Sequence, residues 1–131
     1  MKASATVWTG RVLSALFVLF MLGASVAPKL MGLSLATGPM AAVGWPTHYT
    51  FMIGLIELAC VVLYVIPRTA VLGSVLATGL LGGAMAAQIR VGSPLFSHEL
   101  FGLYLGLVMW GGLWLRDAGL RALFPIRRTP A

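Results

Sequence analysis

In the stretch GLIELACVVLYVI, from Gly54 to Ile66, one carboxylate, Glu57, stands among apolar and small residues. Burial strips an isolated charge of its hydration, so such a group is expected to be paired, protonated or engaged in chemistry. The other side chains able to join it are few: Lys29, Arg90, Glu99, His98 and His48, with Gln88 as a neutral hydrogen-bonding group. A carboxylate beside an ammonium and an imidazole can hold a proton, pass it on, or orient a polar atom of a ligand. Metal chemistry is not expected. His48 and His98 lack the supporting ligands of a zinc or haem site, so haem is not the expected cofactor. The single Cys60 forms neither an intrachain disulfide nor a thiolate cluster. Phosphate-cradling loops, zinc helices with two histidines and nucleophile elbows are missing from the sequence as well.

Composition decides the solvent in which these residues are held. The 131 residues suffice for one domain, 1–131. With 60% hydrophobic residues, 9% charged residues and a mean hydropathy of +0.97, the chain reads as an integral membrane protein. Four mostly apolar runs approach the roughly 20 residues that cross a ~30 Å hydrocarbon core as a helix. They are Val12 to Gly32, Thr50 to Ile66, Ala70 to Ile89 and Leu100 to Leu115. The expected fold is therefore all-α, a four-helix bundle in the membrane. Between the first two spans, LSLATGPMAAVGWPTHY reads as a loop or a re-entrant cap on the outer face.

Charge sets the orientation. Lys2 and Arg11 precede the first span, Arg68 sits between the second and third, and Arg116, Arg121, Arg127 and Arg128 follow the fourth. The positive-inside rule makes that side cytoplasmic, with both termini inside and 117–131 as a basic cytoplasmic tail. The expected location is the inner (cytoplasmic) membrane, as a multi-pass protein. The net charge of +6 is thereby assigned to the membrane surface and not to a nucleic acid. Trp45 and Tyr49 ahead of the second span, with Trp110 and Trp114 late in the fourth, fit aromatic belts at the two interfaces. The N-terminal segment imitates a signal peptide, but Pro28 directly after the small-residue site opposes cleavage, and the segment is expected to remain as a span.

Orientation brings the polar residues to one depth. Lys29 near the outer end of the first span shares a leaflet with Glu57, about two turns below the outer surface of the second. Gln88 and Arg90 end the third span outside, and His98 and Glu99 begin the fourth. Lys29 and Arg90 against Glu57 and Glu99 sum to zero, the balance that semi-buried charges need. Thr50, Glu57 and Tyr64 recur every seven residues as a polar stripe, and Ser25 shares a helical face with Lys29, with Pro28 expected to disturb that helix. Small residues at four-residue spacing, Gly79, Gly83 and Ala87, Gly102 and Gly106, Gly23 and Ala27, are expected to mark the packed faces, and Arg90 and His98 to project from them. Glu99 is rotated by about 100° from His98 and points elsewhere. The candidate catalytic set is thus Glu57, Lys29 and His98, supported by Gln88, Arg90, Glu99, Tyr64, Thr50, Trp45 and His48.

The segments APKL (27–30), GWP (44–46), GLIEL (54–58), LYVIPR (63–68), GGAMAAQIRVG (82–92) and LGLVMWGGLWLRD (105–117) together resemble the DoxX-like family of small four-helix membrane proteins. The resemblance spans nearly the whole chain. It implies a membrane-embedded bundle; some relatives are associated with thiosulfate:quinone oxidoreductase or other membrane oxidoreductases, and distant animal relatives look like receptor-assembly chaperones. At Gln88 the members this chain most resembles frequently carry histidine, a departure that weakens a proton-transfer role there.

Three functions compete on these residues. The first is acid/base chemistry on a lipophilic small molecule, quinone-like or similar, in an outer-leaflet pocket. Glu57 would act as proton donor or acceptor, Lys29 as its partner or as a ligand for a substrate oxygen, and His98 as a relay. Such chemistry would be isomerase-type, or redox with electrons supplied by a bound cofactor or an oxidoreductase partner. The second is a non-catalytic scaffold or assembly partner of an oxidoreductase, with Lys29 and Glu57 as a structural lock. The third is a small proton-coupled transporter, disfavoured because a fixed lysine opposes proton exchange at the glutamate. Exposed glycine stripes would allow homo-oligomers.

Overall fold

A computed structural model describes residues 4–127. Lys2 and Arg128, two of the basic residues counted above, and the last residues of the 117–131 tail lie outside the described residues. Among the described residues the fold is helical throughout. In chain order the elements are α1 (Ala5–Phe20), α2 (Ala27–Leu30), α3 (Ser34–Ala42), α4 (Thr50–Val65), α5 (Ala70–Arg90), α6 (Phe101–Arg116) and α7 (Ala118–Leu123).

The first apolar run begins earlier than its sequence suggests. Ser4 caps α1, its hydroxyl accepting from the Val7 N–H at 3.2 Å, so the helix starts at Ala5 and not at Val12. A π-helical turn, Met21–Val26, joins α1 to α2, making one continuous helical run from Ala5 to Leu30. Pro28 accounts for the wide turn: it has no N–H to give the Ala24 carbonyl and its ring crowds that group, so the ladder shifts to wider bonds such as Ala27 N–H to Leu22 O. Gly32, at φ +66°, closes α2, with Leu33 N–H returning to Pro28 O at 3.0 Å. Within the link that follows, Ser34–Ala42 forms the short helix α3, and a 3₁₀ turn at Thr47–Tyr49 leads into α4. Pro67 stops α4 at Val65, as its missing N–H requires.

Three helical stretches are long and apolar enough to cross a membrane: Ala5–Leu30, Thr47–Val65 and Pro67–Arg90. The fourth long helix, α6, has 16 residues and follows a π-helical turn at Leu95–Glu99. Successive long helices run antiparallel and close into a ring, α1–α2 against α4, α4 against α5, α5 against α6, and α6 back against α1. The protein is a multi-pass membrane protein, and its surface is built accordingly. Along α1, Gly10, Ser14 and Phe17 are buried while Trp8, Val12, Leu16 and Leu19 are exposed. The inward face of α1 thus carries Gly10 and Ser14 beside the Phe17 ring, and most of the large apolar side chains face outward, the arrangement suited to lipid as solvent.

Close helix approach rests mostly on glycines other than those expected. A Cβ at Gly10 would lie 2.6 Å from Gly112 O, one at Gly73 2.5 Å from Tyr64 N, one at Gly102 2.9 Å from Leu81 O, and one at Gly54 2.8 Å from Lys29 Cβ. By contrast Gly23, Gly79, Gly83 and Gly106 have open space around them. Of the expected glycines, only Gly102 is a packing contact. The hydrophobic core is correspondingly slim, centred on Phe17, Met21, Cys60, Tyr64, Met109 and Leu113.

Candidate functional site

Glu57 is buried on the inward face of α4, opposite the π-turn of the first helical run. Lys29 Nζ stands 2.9 Å from Glu57 Oε1, Ser25 Oγ donates to Glu57 Oε2 at 2.7 Å, and Lys29 Nζ donates to Ser25 Oγ at 2.7 Å. The three groups form a closed triangle. Lys29 and Ser25 meet because they are four residues apart on one helical run, and Gly54 leaves room for the Lys29 Cβ against α4. Both carboxylate oxygens are thus held. One ammonium N–H and one lone-pair site on each carboxylate oxygen are not used within the triangle.

The triangle forms one wall of a cavity of about 210 Å³. Gln88 and His98 line the same cavity, beside the apolar Phe20, Met85, Phe101 and Leu105. Gln88 Oε1 accepts from Ser93 Oγ, which fixes the amide. His98 is exposed, and its Nδ1 is hydrogen-bonded to Ser97 Oγ at 2.8 Å. The Phe20 and Phe101 rings, 5.6 Å apart, are partly exposed where the cavity borders the surface. An engineered cavity of about 150 Å³ holds a benzene ring, so this one admits a single-ring head group.

Five candidates from the sequence lie elsewhere, and a sixth stands apart. Tyr64 shares the Glu57 face of α4, but two turns, roughly 10 Å along the axis, separate them. Its hydroxyl donates to Met109 O at 2.7 Å and meets Ser14 Oγ at 2.8 Å in a second cluster. Thr50 is two turns the other way, buried, and its Oγ1 has no hydrogen-bond partner among the described residues. Trp45 is exposed, and so is His48, whose ring lies 4.2 Å from that of Tyr49. Arg90 does not balance a carboxylate: its Nη2 donates to Val43 O at 2.7 Å, tying the end of α3 to the end of α5. Glu99 is half-buried, lines no part of the cavity, and makes no ion pair among the described residues, consistent with its rotation from His98. The expected four-charge balance thus reduces to the single pair of Lys29 and Glu57.

The second cluster was not legible as a unit. Arg116 Nε donates to Ser14 Oγ at 3.0 Å, and its guanidinium lies over the Tyr64 ring at 5.3 Å. Since Tyr64 gives its only hydroxyl proton to Met109 O, Ser14 must be the donor toward Tyr64. The proton order therefore runs Arg116, Ser14, Tyr64, Met109. Nothing in the spacing of Ser14, Tyr64 and Arg116 along the chain announces that three helices meet there, beside the close contact of Gly10 with Gly112.

Among known proteins, the model of the DoxX-like family matches residues 12–112. No curated protein and no solved structure matches the chain.

Proposed function

The chain belongs to the DoxX-like family, and on that premise we propose that it binds the polar head of a lipophilic small molecule at the Lys29, Ser25 and Glu57 triangle. In this reading α6 crosses the membrane as a fourth span, both termini are cytoplasmic in the inner membrane, and the triangle lies in the outer leaflet. The observation that carries it is the cavity: a buried, paired carboxylate, an ammonium with a spare N–H and a fixed amide share one single-ring space with an apolar wall. Ionisable groups retained at such depth usually serve a pathway or a pocket. The spare Lys29 N–H suits a ligand carbonyl oxygen, and the chain from Lys29 through Ser25 to Glu57 suits movement of a proton to or from it. His98, exposed at the cavity edge, would exchange that proton with water. A quinone-type head, one ring bearing carbonyls, meets these terms; any electrons would come from a bound cofactor or a partner oxidoreductase.

Titration of the purified full-length protein with a short-chain benzoquinone tests this. Glu57→Gln and Lys29→Gln are each expected to weaken binding by roughly tenfold or more, the loss typical of one charged hydrogen bond. Unchanged affinity in both variants would overturn the reading.

A scaffold role has one observation in its favour, namely that Lys29, Ser25 and Glu57 satisfy one another without a ligand. It predicts that replacing Lys29 and Glu57 together by apolar residues preserves co-purification with an oxidoreductase partner.

A further inference from the structure

A second cavity, of about 260 Å³, lies between α1, α4 and α6 at the end of the molecule away from Glu57. Two arginines, Arg11 and Arg116, line it together with Ser14 and Tyr64, and Ala15 and Val18 continue its wall as an apolar surface. No carboxylate lines it. Among the described residues neither arginine forms an ion pair, the one salt bridge being that of Lys29 and Glu57. The acid next to Arg116 in sequence, Asp117, is already engaged: its Oδ1 accepts from Gly119 N at 3.0 Å and Leu120 N at 3.2 Å as the cap of α7.

The donors available in this cavity are all cationic. Ser14 has given its proton to Tyr64, and Tyr64 its own to Met109 O, as the proton order above requires. Arg116 uses Nε on Ser14, which leaves its two terminal nitrogens, and Arg11 is steadied over the Trp8 ring at 5.0 Å without a hydrogen bond to a protein acceptor among the described residues. The backbone contact of Gly10 with Gly112 and Arg116 holds the two arginine-bearing turns side by side. Two like charges facing one space raise its potential, and an anion with several oxygens relieves it; guanidinium forks match phosphate oxygens in pairs.

We propose that this cavity is a phosphate-group site, taking the headgroup of an anionic membrane lipid between Arg11 and Arg116 with its acyl part along Ala15 and Val18. Basic pockets between membrane helices on the positively charged side recognise lipid headgroups in this manner. The site is independent of the Glu57 cavity and stands or falls separately from it.

The test is native mass spectrometry of the full-length protein in detergent, titrated with phosphatidylglycerol and with phosphatidylcholine of the same acyl chains. Wild type is expected to hold phosphatidylglycerol about tenfold more tightly, and Arg11→Gln to remove most of that preference. Arg11→Lys is expected to restore part of it, since the charge returns without the fork. Arg11 makes no hydrogen bond within the described fold, so its variants are expected to melt as wild type does. Arg116→Gln also breaks the Ser14 link and is read only beside its melting temperature. Equal retention of the two lipids by wild type, or undiminished preference in Arg11→Gln, overturns the proposal. Inorganic phosphate distinguishes the source. Arg11-dependent thermal protection by millimolar phosphate supports the site with the free anion as a ligand, and Arg11-dependent retention of the lipid alone supports it with the headgroup.

Discussion

Lys29, Ser25 and Glu57 are coupled tightly enough that each substitution acts through the group it leaves behind. Lys29→Met would leave the Glu57 carboxylate buried without its counter-charge, and loss of about 3 kcal/mol of stability is expected, the usual result of breaking a buried pair. Lys29→Met with Glu57→Leu removes both charges, and the double variant is expected within about 1 kcal/mol of wild type. Unfolding in mixed detergent micelles would measure both; a double variant no better than the single would mean that the pair does not act as a unit. Stability and ligand binding then separate, because the stable double variant should still have lost benzoquinone affinity. Much of this site was readable in advance. Glu57 stood out by its apolar setting, Lys29 by depth, and Ser25 by its four-residue spacing from Lys29. The seven-residue period of Thr50, Glu57 and Tyr64 identifies a face of α4 but says nothing of which helix meets that face at each depth.

At the level of elements, the decisive features are the π-turn and four glycine contacts. Pro28 was visible as a disturbance in the sequence, and its effect is a wide turn that keeps Lys29 and Ser25 together opposite α4. The glycines were harder to read. In lipid both the packed and the outer face of a helix accept small residues, so four-residue spacing alone does not say which stripe is buried. Gly79 and Gly83 fit the motif and meet nothing within 4 Å, whereas Gly73, four residues before Ala77, and Gly54, four after Thr50, touch neighbouring helices. The contrast can be measured. Gly73→Ala forces a methyl against the Tyr64 and Cys60 backbone, and a loss of about 2–3 kcal/mol is expected. Gly79→Ala meets no neighbour and is expected to be neutral or to gain a few tenths of a kcal/mol up to about 1 kcal/mol through helix propensity. If Gly79→Ala instead destabilises, and the mass of the protein–detergent complex falls by half in the same variant, the exposed stripe is a homo-oligomer interface. If Gly73→Ala is neutral, the α4–α5 contact is looser than its backbone distances require.

For the whole molecule the open quantity is the number of crossings. Helix α6 at 16 residues spans about 24 Å, less than the ~30 Å hydrocarbon core. The apolar Leu95, Phe96 and Leu100 around the preceding π-turn extend it outward, and Trp110 and Trp114 can anchor its other end at the interface, Trp114 through a 2.8 Å bond to Phe124 O. Arg121 donates to the carbonyls of Trp114 and Leu115, folding α7 back under α6 instead of leaving it as a loose tail. Local thinning or reduced tilt absorbs a mismatch of this size at modest energy, so α6 is expected to cross as the fourth span. The native thiol makes the experiment simple, since Cys60 is 5% exposed and should stay unlabelled by a membrane-impermeant maleimide. Introduced thiols at exposed positions then report sidedness in intact cells. Ser97→Cys is expected to label from outside, and Ser4→Cys and Leu123→Cys only after permeabilisation. Labelling of Leu123→Cys from outside, with Ser4→Cys still protected, would give three crossings, put the termini on opposite sides, and remove Arg116 from the face that carries Arg11 and Arg68.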